Sequence, residues 1–296
     1  MLPVKRIAIV LILICMVLGG CASPEPVQIA ATTLPVYEFT TRLCQGTDIG
    51  VTRLVTESVS CLHDYTLQVS QMRSIESAEA VILSGAGLEE FLEDALPAAS
   101  HVADASAGIP LICPEDGHDH DHEHDDHGHH HENDPHIWLS PANAAVMAEN
   151  ICRELCTLYP RHRAVFEANL TSLLDDLERL RAYGQETLAQ LSCRELITFH
   201  DGFAYFAECF DLTILEAVEE ESGSEAPASE LIRLIGLVRE HKIPAIFIET
   251  NGSDAAAQII AAETGIPIYT LDMAMAGDSY FDAMYRNIDT IKEALG

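Results

Sequence analysis

Short apolar runs rich in β-branched residues alternate along most of this 296-residue chain with segments whose apolar positions recur every three or four residues. The runs VQIAATT (27–33), GVTRLVT (50–56), AEAVIL (78–83) and HVADAS (101–106) read as strands. A second set follows: RELITFH (194–200), LTILEAV (212–218), PAIFIET (244–250) and PIYTLD (267–272). Helical periodicity predicts helices over 35–44, 67–77, 88–96, 228–241 and 254–264, and over the C-terminal YRNIDTIKEAL. Strands that alternate with helices imply parallel sheets covered on both faces.

Between the two sets lie a helix capped near Ser140 and the longest periodic stretch in the chain. From 162 to 192, Phe166, Leu170, Leu173, Leu177, Leu180, Leu188 and Leu191 repeat at steps of three, four and eight. That spacing puts one apolar face on one helix. Some thirty residues at 1.5 Å each reach about 45 Å, enough to run the height of two lobes. The predicted fold is therefore α/β, with two parallel-sheet lobes (27–160 and 193–296) joined by one long rigid helix (161–192). A ligand cleft is expected between the lobes.

The first twenty residues form a separate unit. Lys5 and Arg6 precede the apolar run IAIVLILICMVL, and Gly19-Gly20 stand directly before Cys21. This is the pattern of a secretory signal over 1–20, with Cys21 as the acylated new N-terminus of a lipoprotein and 21–26 as a tether. The apolar run falls short of the roughly 20 residues that span a bilayer. Formal net charge is −31, and removal of 1–20 would leave 14 basic and 47 acidic residues, or −33. Such an acidic surface argues against nucleic acid as a partner and is compatible with cations. In an exported protein some of the cysteines that follow Cys21 could pair, and Cys44 with Cys61 and Cys193 with Cys209 are close enough in sequence. Cys152 and Cys156, one helical turn apart, are expected to face a core.

The chemistry concentrates in CPEDGHDHDHEHDDHGHHHENDPHIWLSP. His118, His120, His122, His124, His127, His129, His130 and His131 alternate with acids in a loop over 117–132 that has no apolar residue. Such a segment cannot bury itself and offers many weak metal arrangements without a fixed geometry. It is expected to raise local metal concentration beside a site rather than to form one, the alternative being a solvated, dispensable linker.

Open parallel sheets bind ligands outside the carboxyl ends of their strands. Four metal-capable residues are expected there: His63 in CLHDYTL, His136 in NDPHIWLSP, His200 in ITFHDGF and Asp272 in YTLDMAM. Three imidazoles and one carboxylate suit a tetrahedral zinc ion. Taken singly, each of the four reads as readily as a cap or a surface residue, and their equivalent positions carry the metal reading. A zinc hydrolase is the competing enzyme reading, but the chain has no H-E-x-x-H pair, and a carboxylate completing the shell would displace the reactive water. A zinc buffer without a permease is a third reading.

At these same residues the chain resembles the metal-binding lipoprotein subunit of zinc and manganese ABC importers. The likeness is carried by LHDYTLQVSQMRSIESAEAVILSGAGLEEFL, NDPHIWLSPANA, FHDGFAYFAECFDL, AAETGIPIYTLD and GDSYFDAMYRNIDTIKEAL. It implies a little-moving two-lobed receptor, not an enzyme, that delivers Zn(II) to an ABC permease from outside the cytoplasm. It also implies ligands at His63, His136, His200 and Asp272, and an acceptor for a histidine N–H at Glu249. Histidine at position 200 points to the zinc subgroup, since manganese members tend to carry a carboxylate there, and a manganese- or iron-binding member of the same family is the alternative. Leu62 departs from the family, which usually has proline before the first ligand.

Overall fold

A computed structural model describes residues 28–57, 62, 65–113, 133–218, 227–250 and 252–296. The expected signal, tether and Cys21 lie outside these residues, as do His63 and the eight histidines of the 117–132 loop. The N-terminal lobe holds β1 (Ile29–Ala31), α1 (Leu34–Leu43), β2 (Val51–Arg53), α2 (Val69–Ser77), β3 (Ala80–Leu83) and β4 (Val102–Asp104). Two helices follow, α3 (Pro141–Leu158) and α4 (Arg163–Thr187). The C-terminal lobe holds β5 (Glu195–Thr198), α5 (Ala204–Cys209), β6 (Thr213–Ala217), α6 (Ala228–His241), β7 (Ile246–Glu249), α7 (Ala255–Thr264), β8 (Ile268–Leu271) and α8 (Tyr280–Leu295).

The two sheets share one topology. Their orders are β2-β1-β3-β4 and β6-β5-β7-β8, and every pairing is parallel. Side chains alternate between two apolar layers along each strand. Ala30 and Val81 pack with Leu54, Ile75 and Leu92, whereas Ile29, Ala31 and Ile82 face the opposite layer. That opposite layer is continuous through the molecule. It runs from Phe39 of α1 through Phe166, Leu173, Leu177 and Leu180 of α4 to Phe247 and to Ile288 of α8. Both lobes are thus built on one shared core and are not held by a tether.

Helix α4 braces that core. Near its start the Asn169 amide donates to the carbonyls of Leu43 (2.8 Å) and Gln45 (2.9 Å) in the first lobe. Near its end Tyr183 donates to Asp289 Oδ1 on α8 at 2.5 Å. Gly184 lets it come close to the second lobe, because a Cβ there would lie 2.3 Å from Phe210 Cε1. The helix stops at Thr187, short of the expected 192. Arg194 takes up the carbonyl of Leu188 at 2.9 Å, and the chain turns into β5.

Two further expectations are corrected. Residues 88–96 do not form an α-helix but fall into two 3₁₀ turns, Glu90–Leu92 and Leu96–Ala98. Gly85, Ala86 and Gly87 all take positive φ just upstream, and Pro97 cannot donate within a helix. Cys193 and Cys209 are free thiols, so that pairing is not made. Cys193 Sγ instead points at the Glu195 carbonyl, 3.6 Å away. Cys44 is free and buried in the shared core, and its proposed partner Cys61 lies outside the described residues. Cys152 and Cys156 are buried, as their spacing predicts. Leu62 is 2% exposed and joins the shared core, so an apolar anchor stands where the family usually has proline.

The loop after β3 holds a buried carboxylate. Glu89 accepts from Thr32 Oγ1 at 2.6 Å and from the backbone N–H groups of Ser84 (2.6 Å) and Gly85 (3.0 Å). Burial pushes its pKa up to about 7, against these hydrogen bonds, which act to lower it. Between about pH 4.5 and 7 the native state holds a proton that the unfolded chain has released. Glu89 therefore adds stability below pH 4.5 that is lost as pH rises through about 7. A shift of this size corresponds to something on the order of 3 kcal/mol. Urea melts of wild type and Glu89→Gln should show the stability difference moving in favour of the variant from pH 5 to pH 8. A constant difference would mean that Glu89 is charged throughout.

Candidate metal centre

The strand order reverses between β1 and β3 and again between β5 and β7, and ligands bind at such switch points in α/β sheets. His200 lies two residues past the end of β5, and Glu249 is the last residue of β7, so both stand at the second switch point. His136 arrives from the other side, on the segment leading into α3. It is 6% exposed and is the N-cap of a 3₁₀ turn, Ile137–Leu139.

The fold brings His136 and His200 together. Their Nε2 atoms stand 3.5 Å apart, and their rings meet edge to face with centroids 5.2 Å apart. Behind each ring lies a carboxylate. Asp134 Oδ1 is 2.8 Å from His136 Nδ1, and Glu249 Oε2 is 3.6 Å from His200 Nδ1. The first separation is a hydrogen bond, and the second is an ion-pair distance. Gly202 packs against the pair. A Cβ there would meet Met273 Cε at 2.5 Å, His200 Cδ2 at 2.8 Å and His136 Nδ1 at 3.0 Å.

Asp272 takes a different position. Its Oδ1 accepts from the Ala274 N–H at 2.8 Å, and its Oδ2 faces Arg286 Nη2 at 3.2 Å. Asn287 of α8 clamps its backbone through both the N–H (2.8 Å) and the carbonyl (2.7 Å). The neighbouring Met273 carbonyl accepts from Trp138 Nε1 at 2.7 Å, which ties this segment to that of His136. Among the described residues, no three His, Cys, Asp or Glu side chains form a metal-holding group. What is assembled is the imidazole pair with its two carboxylates.

Sequence reasoning missed Asp134, Gly202, Trp138, Tyr205 and Arg286. Only Asp134 had a local signal, as an acid two residues before a candidate ligand in NDPH. The others reach the site through contacts between segments distant in sequence.

Two α/β lobes on a shared core, with an imidazole from each meeting between them, are the build of a solute-binding receptor. The family described as zinc-uptake complex component A, periplasmic (ZnuA) matches residues 29–294, and the chain belongs to it. A zinc-bound deletion mutant of ZnuA superposes with a TM-score of 0.76 at 29% identity, over 91% of this chain and 98% of that one. The zinc-binding lipoprotein AdcA of Streptococcus pneumoniae (strain TIGR4) is 28% identical over 308 residues. The alignment takes in 98% of this chain but only 61% of AdcA. A relative from Treponema pallidum (strain Nichols), described as a metal-binding protein, is 28% identical over 93% of this chain and 92% of its own length. Among the described residues, no helix is long and apolar enough to cross a membrane.

Proposed function

We propose that this chain is the extracytoplasmic zinc receptor of an ABC-type importer, capturing Zn(II) between its lobes and delivering it to a membrane permease. The observation that carries this reading is the separation of His136 and His200. Two nitrogens bound at about 2.0–2.1 Å at a tetrahedral angle lie about 3.3 Å apart. The two Nε2 atoms are 3.5 Å apart without an ion between them. Membership of the zinc-uptake family and the zinc named for its relatives support the identity of the cargo.

In this reading His63 supplies a third imidazole and Asp272 a carboxylate, which exchanges Arg286 for the ion. Imidazole donors favour zinc over manganese. Cys21 carries the lipid that holds the receptor at the membrane, and the histidines of 117–132 gather metal near the cleft. Titration of the purified full-length chain with zinc against a competing chelator tests both parts of the proposal. One tight site and several weak ones are expected, and removal of 117–132 should abolish the weak sites and leave the tight one. Loss of the tight site on deletion would move the centre into the loop, and no tight site in the full chain would end the receptor reading.

A smaller change probes the pair itself. Gly202→Ala would drive a methyl group between Met273 and the two rings. Overpacking of this kind costs about 1–3 kcal/mol of stability. Tight-site affinity should fall by at least about tenfold, the low end for disturbing the surroundings of a ligand. An unchanged affinity in the same titration would show that the rings do not act together.

A further inference from the structure

The carboxylate behind His136 is held in an unusual way. Asp134 Oδ1 takes both the backbone N–H of His136 and its ring Nδ1, each at 2.8 Å. The side chain is 8% exposed, and its second oxygen, Oδ2, is buried without a hydrogen-bond partner among the described residues. The backbone of Asp134 is fixed as well. Its N–H donates to the Ile112 carbonyl at 2.8 Å. Tyr205 of α5, in the opposite lobe, donates its hydroxyl to the Asp134 carbonyl at 3.1 Å and accepts from the Ile112 N–H at 2.9 Å. One phenol thus closes the two ends of the segment that contains the histidine run, at the residue that touches His136.

We propose that Asp134 is a positioning residue that locks His136 in the Nδ1–H tautomer and keeps its Nε2 lone pair aimed at His200, with Tyr205 holding Asp134 in place from the other lobe. Asp134 Oδ1 already accepts the His136 backbone N–H, and the ring nitrogen facing the same oxygen is placed to donate to it. The other nitrogen is then bare, which is the form a metal takes. A free imidazole in water prefers a proton on Nε2, and without Asp134 His136 would present the wrong nitrogen to the cleft. A bound cation also makes the Nδ1 proton more acidic, so the hydrogen bond to Asp134 strengthens on loading. The orphan Oδ2 fits this role, because burial of an unpartnered oxygen is tolerated where the other oxygen is required in one place.

The tautomer claim stands on this geometry alone, and its consequence for zinc rests on the receptor reading. Long-range ¹H–¹⁵N correlation spectra of the metal-free, full-length protein should report His136 protonated on Nδ1. Asp134→Ala should move the proton largely to Nε2, and Asp134→Asn, which keeps a carbonyl acceptor, should restore it to Nδ1. Tight zinc binding should weaken about 10–100-fold in the alanine variant and recover in part in the asparagine variant. Tyr205→Phe, which leaves the carboxylate untouched, should broaden or split the His136 signals. An unchanged tautomer in Asp134→Ala overturns the proposal, as does a changed tautomer with unchanged zinc affinity. A wild type with the Nδ1–H tautomer but no tight zinc site would leave the positioning role in place and sink the receptor reading instead.

Discussion

Replacing His200 with alanine should abolish tight zinc binding while leaving the protein folded. The variant removes one of two imidazoles whose Nε2 atoms are already 3.5 Å apart, and no described histidine other than His136 stands beside it. In the proposed shell His136, packed against Trp138, would then keep only His63 as an imidazole partner for the ion. The loss should therefore exceed the roughly 10–100-fold that outer partners of a metal ligand carry. Fold stability should change little, because His200 is a partly exposed residue at a strand end and contributes no side chain to the apolar layers. Chelator competition followed by a urea melt separates the two effects. The informative control is a single alanine at His127. Sequence repetition in that run leaves seven other histidines, and the tight phase should not move. Equal losses for His200→Ala and His127→Ala would overturn the assignment of the centre to the lobe junction.

The second large effect concerns the junction itself. Trp138→Ala should destabilise the protein by about 3–5 kcal/mol, the cost of emptying a large aromatic site in a packed core. The side chain is fully buried, and its indole N–H reaches across to the Met273 carbonyl. Its own carbonyl receives the Tyr280 hydroxyl at 2.8 Å, and its ring packs edge-on against His136 with centroids 5.5 Å apart. Trp138→Phe keeps most of the volume but leaves the Met273 carbonyl without this donor, at a cost of about 1–3 kcal/mol. Trp138 is the only tryptophan in the chain, so unfolding of the variants must be followed by far-ultraviolet circular dichroism. Saturating zinc should return part of the lost stability by mass action, provided the variant still binds it. A cost below about 1 kcal/mol for the alanine variant would mean that the lobes are not fastened through this side chain.

Both predictions follow from a receptor whose lobes are joined by direct contacts as well as by chain. The Leu34 N–H donates to the Met275 carbonyl at 3.1 Å, and Arg53 donates to the Gly277 carbonyl at 2.7 Å. The Tyr280 N–H donates to Glu38 at 2.6 Å, and Phe39 meets the Tyr280 ring at 5.1 Å. Closure about a free hinge would have to break these contacts together.

Much of the architecture was written locally. The central strands β1, β3, β5 and β7 are largely buried and appear as short apolar runs, and all eight runs contain the strands β1 to β8, each run two to four residues longer than its strand. The stripe from Phe166 to Leu180 announced α4 for the same reason, since a helix that spans a shared core must keep one face apolar throughout. His200 was legible because the strand ends at a sheet's switch point are fixed by topology, whereas His136, on the segment leading into α3, was marked only by its local sequence NDPHIWLSP. The segment 88–96 was misjudged because three successive positive φ angles and a side chain reaching back to Ser84 overrode its helical spacing.

What the sequence determined without help was the order of the elements, the two sheets and the residue types able to hold a metal. Those depend on periodicity and on side-chain chemistry, which are properties of near neighbours. Only the tertiary structure decided that the two imidazole Nε2 atoms stand 3.5 Å apart, that Asp134 and not a more distant acid backs His136, and that the Asp272 carboxylate rests on Arg286. Each of these is settled by packing between segments of the chain, where a few tenths of an ångström in how α8, α5 and the strand ends abut fix which polar atoms touch.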